Sequence, residues 1–332
     1  MIQKHRIYIF FGGVLFLCSL VGGLFFFNRN TSSLPIVSDT KMKSPDEKEA
    51  INNMMPSKFR CIDKKSIASI KAKFNINGLK NLKILGSGQF TSKQFENIFK
   101  NIISSKNIVP SNFVVVDLRG EQHILINGFP VTFFSDNFSH SFGNTVVNVQ
   151  EDERDQVARL LKNPKAIVHY VVEKGKNGTL GETIQAEEIA QQVNTEQAVI
   201  QKFGVQYVRF AITDHTRPSD VIVDQLVKFM NNVSENTWLY VHCRGGSGRT
   251  STFMTMYDMI KNGKKVSKED ILARQVALGG KDLFKVKQKI NDDYRNDSSI
   301  ARCKFIDQFY KYVRANDGLG VQSWSAWVKK TA

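Results

Sequence analysis

An α/β fold, with a central, mostly parallel sheet flanked by helices and a small β-rich subdomain, is predicted by three observations. First, the apolar, β-prone run Trp238–Val241 passes into a glycine-rich turn, His242–Thr250, and from Thr250 to Ile260 apolar residues recur at helical spacing. Second, Val205–Ile212 alternates like a strand and is followed by the polar loop Thr213–Pro218 and a helix opening around Ser219. Strand, loop, helix, strand and turn therefore succeed one another from Val205 to Arg249, the order of a parallel sheet, whose loops leave at the carboxyl ends of the strands. Third, Asn127-Gly128 lies between Ile124-Leu125-Ile126 and Val131-Thr132-Phe133, a hairpin signal that puts β structure outside that sheet.

From the N-terminus onward, Ile7 to Phe27 is apolar and uncharged and follows Lys4, His5 and Arg6. As a helix it would span roughly 31 Å, the thickness of a bilayer core. Residues 1–28 are either a transmembrane signal anchor, which the length favours, or a cleaved signal peptide. The preceding basic residues favour an N-inside orientation, with the rest of the chain outside the cytoplasm; cleavage would make it secreted or periplasmic. Residues 29–54 are polar and lack periodicity, as in a flexible tether. Residues 55–332 suffice for one domain with a full core, a β-rich insertion at about 120–165 and a catalytic core at about 166–315. Within it Asp152–Leu161, Ala186–Phe203, Asp220–Asn231 and Ala301–Arg314 read as helices, Ala166–Val172 reads as a strand, and Ser267-Lys268-Glu269-Asp270 caps a further helix.

The turn His242-Cys243-Arg244-Gly245-Gly246-Ser247-Gly248-Arg249-Thr250 carries the chemistry. A strand-to-helix turn presents backbone N–H groups and the positive end of a helix dipole to an anion. The amides of Arg244 to Arg249 can line one concavity, and the Arg249 guanidinium offers a bidentate fork to two phosphate oxygens. The same field favours the thiolate of Cys243, the attacking form, and Thr250 can donate its hydroxyl to the sulfur. This is no nucleotide P-loop, because the Gly-Lys-Ser/Thr ending is absent. Thr213-Asp214-His215 supplies the acid that a leaving alkoxide needs, with Asp214 as proton donor and His215 either a phosphate contact or an exposed loop residue. An ionised thiol working beside a protonated carboxyl implies an optimum on the acidic side of neutrality.

The chain resembles the cysteine-based, protein-tyrosine-phosphatase-like phytases over most of its length after about residue 55. Their His-Cys-x-x-Gly-x-Gly-Arg-Thr motif is met by His242–Thr250 and their Thr-Asp-His loop by Thr213, Asp214 and His215. Further likenesses are Pro56-Ser57-Lys58-Phe59-Arg60, Gly86-Ser87-Gly88-Gln89-Phe90, Asp117-Leu118-Arg119-Gly120-Glu121-Gln122-His123 and Asn127-Gly128-Phe129-Pro130-Val131. The resemblance implies a tyrosine-phosphatase-like core and hydrolysis of inositol polyphosphates through a cysteinyl-phosphate. It also implies phosphate contacts from Arg60 and from basic residues of a C-terminal helix, here Arg302 and Lys304. The alternatives are a protein tyrosine or phosphoinositide-lipid phosphatase, and a non-catalytic binder of phosphate head groups. Arg244 departs from the family, whose members often carry an acidic residue after the nucleophile.

Composition agrees with a polyanionic substrate: 46 Lys and Arg against 31 Asp and Glu leave a formal charge of +15. Nucleic acid is not expected as a partner, since no zinc-finger spacing, aromatic strand motif or long basic stripe accompanies the charge. The four cysteines, Cys18, Cys61, Cys243 and Cys303, form no CxxC, so no metal or other cofactor is expected. Cys61 and Cys303 are either paired in an oxidising compartment or, as the sequence favours, two separate thiols.

Overall fold

The computed structural model of the chain describes residues 34–136, 143–175, 178–285, 294–316 and 322–331. The apolar run 7–27 lies outside them, and among the described residues no helix is long and apolar enough to cross a membrane. The described strands are β1 (Ile36–Ser38), β2 (Arg60–Cys61), β3 (Ile84–Ser87), β4 (Phe113–Arg119), β5 (His123–Ile126), β6 (Phe129–Phe133), β7 (Lys165–Lys174), β8 (Gly181–Ile189), β9 (Val193–Asn194), β10 (Gln206–Ile212) and β11 (Trp238–His242).

The core sheet runs β10-β4-β11-β3-β2, parallel throughout except for β2 at one edge. Its two central strands, Phe113–Arg119 and Trp238–His242, are buried at every position. A strand covered on both faces reads as an apolar run, which is why Trp238–Val241 was legible in the sequence, while in Phe113–Arg119 the buried Asp117 and Arg119 interrupt that run. One face packs Val114, Val116, Leu239 and Val241 against Phe253, Met254 and Met256 of the helix Gly248–Asn262. The other packs Leu85, Val115 and Tyr240 against Phe90, Phe95 and Phe99. Every side chain from Arg249 to Met259 is buried, because that helix is sandwiched between the sheet and the helices Asp220–Asn232, Lys268–Ala277 and Tyr294–Ala315. Ser219 and Ser267 cap two of these as expected, their side chains accepting from Ile222 N and Asp270 N.

The second sheet runs β8-β7-β1-β6-β5-β9. Its β5–β6 hairpin turns on Asn127 and Gly128, both left-handed with φ of 51° and 83°, the two-residue turn whose twist suits the strands.

Three expectations need correction. The stretch 29–54 is not a tether throughout: Ile36–Ser38 pairs antiparallel with β6 and parallel with β7, and Lys48–Asn53 is helical. Its buried Ile36 and Val37 give it a place in the sheet that polar flanks concealed. The β-rich part is not confined to about 120–165, because β1, β7, β8 and β9 belong to the same sheet. Ala186–Phe203 is not one helix. Ala186, Ile189, Ala190 and Val193 fall at helical spacing, yet β8 pairs along its length with β7, and the helix starts only at Glu196, capped by Thr195. A partner strand supplied by the fold overrode the local pattern.

Candidate active site

The turn after β11 and the loop after β10 leave the core sheet on the same side, as parallel strands require. Gly246 has φ +66°, and a Cβ there would stand 2.3 Å from Gly88 N, so the turn lies directly on the Ser87-Gly88 backbone. Gln89 N donates to Arg244 O at 3.0 Å and Gly88 N to Ser57 O at 2.7 Å, fixing that underlying strand end in turn.

Cys243 is 3% exposed, and Thr250 Oγ1 donates to its sulfur at 3.1 Å. Arg249, 2% exposed, sends Nη1 and Nη2 to the two oxygens of Glu121 at 2.6 and 2.9 Å and Nη1 to Ile212 O at 2.9 Å. Its Nη2 is 3.2 Å from Asp214 Oδ1, and its Nε has no partner among the described residues. Burial pushes both carboxyls up, but the Arg249 guanidinium outweighs it: Glu121, helped by Arg119, is held well below the carboxylate range, and Asp214, helped by His215, is held below its ordinary value.

An alternating row of charges extends from this pair. Arg119 donates Nε to Glu121 Oε1 at 3.0 Å and Nη1 to Asp39 Oδ2 at 2.7 Å, and Asp39 Oδ1 accepts from Arg244 Nε at 2.8 Å. Arg244, Asp39, Arg119, Glu121, Arg249 and Asp214 thus join both ends of the turn. Desolvating so many charges is costly, and it is offset only because each has an opposite neighbour with hydrogen-bonding geometry. Arg244 also stacks on Phe134, 5.8 Å from the ring centroid.

Beneath the turn, His242 Nε2 stands 2.7 Å from Glu196 Oε1. The other Glu196 oxygen accepts from Gln89 Nε2 at 2.6 Å and lies 3.2 Å from His123 Nε2. Asp117, His123 and Glu196 bring donor atoms within 4.8 Å of one another, the kind of group that could hold a cation. Positive charge is already there: Arg209 Nε is 3.1 Å from Asp117 Oδ2, while its Nη1 makes a bidentate pair with Glu153 at 2.8 and 2.9 Å.

The remaining sequence candidates divide. Arg60 lies under the turn, its Nη1 donating to Gly246 O at 3.0 Å and its Nη2 to Ser251 Oγ at 3.1 Å. Burial lowers that guanidinium to about 10. Ser247 Oγ accepts from Lys58 Nζ at 3.1 Å, and a Cβ on Gly245 would meet open space. Gly248 faces the Arg302 guanidinium. His215, left-handed with φ +65°, donates its N–H to Asp214 Oδ1 at 2.9 Å. Lys304 is exposed, with no hydrogen bond or ion pair to the turn among the described residues. Cys61 and Cys303 are separate free thiols, and burial pushes Cys61 up to about 12.

Sequence reasoning missed Asp39, Glu121, Glu196, Lys58 and Lys281. Burial lowers Lys281, helped by the neighbouring cations Arg302 and Lys58. Glu121 had a signal: Asp117, Arg119, Glu121 and His123 crowd four ionisable side chains into seven residues directly after the apolar run Phe113–Val116, and the fold buries all four. Asp39 and Glu196 had none, since only the tertiary fold supplies their partners.

A buried thiol bonded by a threonine hydroxyl, an arginine closing the same turn and a carboxylate on the neighbouring loop define the cysteine-dependent phosphatases. Residues 116–261 match the PTP-like phytase family model, described as inositol hexakisphosphate. The tandemly repeated protein tyrosine phosphatase like phytase of Mitsuokella multacida superposes with a TM-score of 0.74 at 31% identity, over 90% of this chain and 48% of that one. The PTP-like myo-inositol phosphatase of the same organism, in complex with myo-inositol-(1,3,4,5)-tetrakisphosphate, gives 0.73 at 29%, over 90% and 48%. The PTP-like phytase of Bdellovibrio bacteriovorus gives 0.63 at 28%, over 89% of this chain and 95% of that one. Effector protein hopD2 of Pseudomonas syringae pv. tomato is 32% identical over 265 residues, 77% of this chain and 53% of its own length. The chain therefore spans about half the length of several of the proteins it matches. Over residues 116–261 it matches the PTP-like phytase family model, and the fold around that segment is the one seen in the PTP-like phytase structures.

Proposed function

We propose that this protein is a phosphomonoesterase that hydrolyses inositol polyphosphates through a cysteinyl-phosphate. The observation that carries the reading is the Thr250 hydroxyl donating to Cys243 Sγ in a turn closed by Arg249, whose Nε is an unused buried donor. In the first step Cys243 sulfur bonds to phosphorus as the ester P–O bond breaks, and Asp214 gives its proton to the departing oxygen. In the second, water attacks phosphorus, Asp214 takes a proton from it, and the S–P bond breaks to return the thiolate. Arg249 and the turn amides stabilise the equatorial oxygens in both steps.

A bound phosphate dianion competes with Asp214 for Arg249. The acid is then released from its ion pair and its carboxyl rises toward the protonated form that the first step needs. Lys58 and Lys281 beside the turn, the +15 net charge and the ligand of the M. multacida phosphatase support a substrate with several phosphates. Phosphate release by the full chain from inositol hexakisphosphate, phosphoinositides and phosphotyrosine peptides tests the substrate class. Preference for the inositol phosphate is expected, and dominant release from phosphotyrosine would overturn it. The apolar run 7–27 supports holding the enzyme at the outer face of a membrane, which protease accessibility in intact cells would check.

A further inference from the structure

The loop that carries Asp214 is held by a side chain from the far end of the chain. Arg302, on the helix Tyr294–Ala315, is 3% exposed. Its Nη2 donates to the carbonyls of His215 and Thr216, the second at 2.9 Å. The same guanidinium lies against the catalytic turn, since a Cβ on Gly248 would stand 3.0 Å from Nη1, 3.3 Å from Nη2 and 3.4 Å from Cζ. One planar group thus spans the gap between acid loop and phosphate cradle.

The backbone it grips is unfavourable without help. His215 has φ +65°, a left-handed conformation that is unfavourable for a non-glycine residue and persists only where its surroundings impose it. Local hydrogen bonds supply part of the constraint, with Thr216 Oγ1 donating to Thr213 O at 2.9 Å. A further constraint is Arg302, bonded to the carbonyl of that residue and of the next. The helix also meets the loop's exit one turn further on, where the Arg217 guanidinium lies 5.7 Å from the Phe305 ring centroid.

We propose that Arg302 is a positioning residue for the general acid, fixing the left-handed turn at His215 so that Asp214 points at the catalytic turn. It holds loop carbonyls rather than a substrate phosphate. This rests on Asp214 acting as the acid. Misplacing an acid by about 1 Å costs on the order of 100-fold, and only where the leaving group needs the proton.

The test compares an alkyl phosphate with an activated aryl phosphate in Arg302→Ala, Arg302→Lys, Asp214→Asn and the Arg302→Ala/Asp214→Asn double variant. Arg302→Ala is expected to lower kcat/KM, which reports the leaving-group step alone, about 10- to 100-fold on the alkyl ester and at most about threefold on the aryl ester. Arg302→Lys recovers part of the loss, and the double variant is no worse than Asp214→Asn alone, because the displaced group is already gone. Inhibition by inorganic phosphate should stay within about threefold of wild type in Arg302→Ala, which also reports a folded turn. Equal losses on the two esters, additive losses in the double variant, or a raised KM with weaker phosphate inhibition would overturn the proposal. If Arg302→Ala does not fold, Arg302→Lys carries the same ester comparison. Loss of leaving-group dependence in Asp214→Asn itself would instead remove the acid, and with it the mechanism above.

Discussion

The core sheet and the second sheet both reach the catalytic turn, and they hold it by different physics. The core sheet packs apolar residues along most of both faces, fixes where the backbone turns, and carries Asp117, Arg119, Arg209 and His242 among them. The second sheet and its edges deliver polar groups into a buried ionic layer: Thr132 from β6, His123 from β5, and Asp39 just after β1. Its outer hairpin, β7–β8, is largely exposed. Position therefore comes from the apolar packing of the core sheet, whereas the ionic layer is assembled from both sheets, and substitutions in the apolar packing, the ionic layer and the outer hairpin should differ accordingly.

The largest effect is expected at the junction. Cys243→Ser should cut turnover by at least about 10⁴-fold while inorganic phosphate still binds, because the hydroxyl is not ionised but the cradle remains. Residual turnover within tenfold of wild type would show that the turn works without its sulfur.

Next comes Asp214→Asn, with a loss of about 10²- to 10⁴-fold on inositol phosphates and much less on an activated aryl phosphate. Its pH behaviour sharpens the point. Arg249 and His215 hold the Asp214 carboxyl low in the free enzyme, and a phosphate that engages Arg249 relieves this and adds like charge. The carboxyl then rises on binding, so the alkaline limb of kcat should lie at higher pH than that of kcat/KM. Coincident limbs would separate Asp214 from Arg249 in the working enzyme.

On the apolar side, Phe113→Ala in the middle of the core sheet should cost about 3–5 kcal/mol of stability, measured by denaturant unfolding. The smallest effect belongs to the outer hairpin: Ile184→Ala on half-exposed β8 should stay within about 0.5 kcal/mol. Similar costs at the two positions would erase the distinction between the sheets.

The same contrast explains what the sequence revealed. The strand before the turn announces itself, because Trp238–Val241 must be apolar whatever surrounds it, whereas Phe113–Arg119, interrupted by Asp117 and Arg119, was not read as a strand. The turn and acid loop were legible for a chemical reason, as thiol, arginine, threonine and carboxyl at those spacings have few other uses. β8 was misread because a one-sided edge strand carries few apolar residues, and those it has also suit a helix. Asp39 was invisible for a third reason: its partners Arg119, Thr132 and Arg244 are distant in sequence, and nothing about an isolated aspartate after Ser38 predicts burial among them. Arg302 was singled out as a cation near phosphate. Its spacing gave no hint that loop carbonyls would be its partners.

Gly246 and Gly88 bear on how the protein can be altered. A methyl on Gly246 would strike the Ser87–Gly88 backbone, and one on Gly88 would stand 3.0 Å from Arg244 O and 2.2 Å from Ser57 Oγ. Two main chains touch here, and although Ser57 could be made smaller, the backbone atoms that a methyl at Gly246 would strike cannot be shrunk by a compensating substitution. Directed evolution of a new substrate preference consequently has no route through the curvature of the turn. It has to work through side chains around it, at Lys58, Arg244 and Lys281, where diversity can be introduced without disturbing the contact between the two backbones.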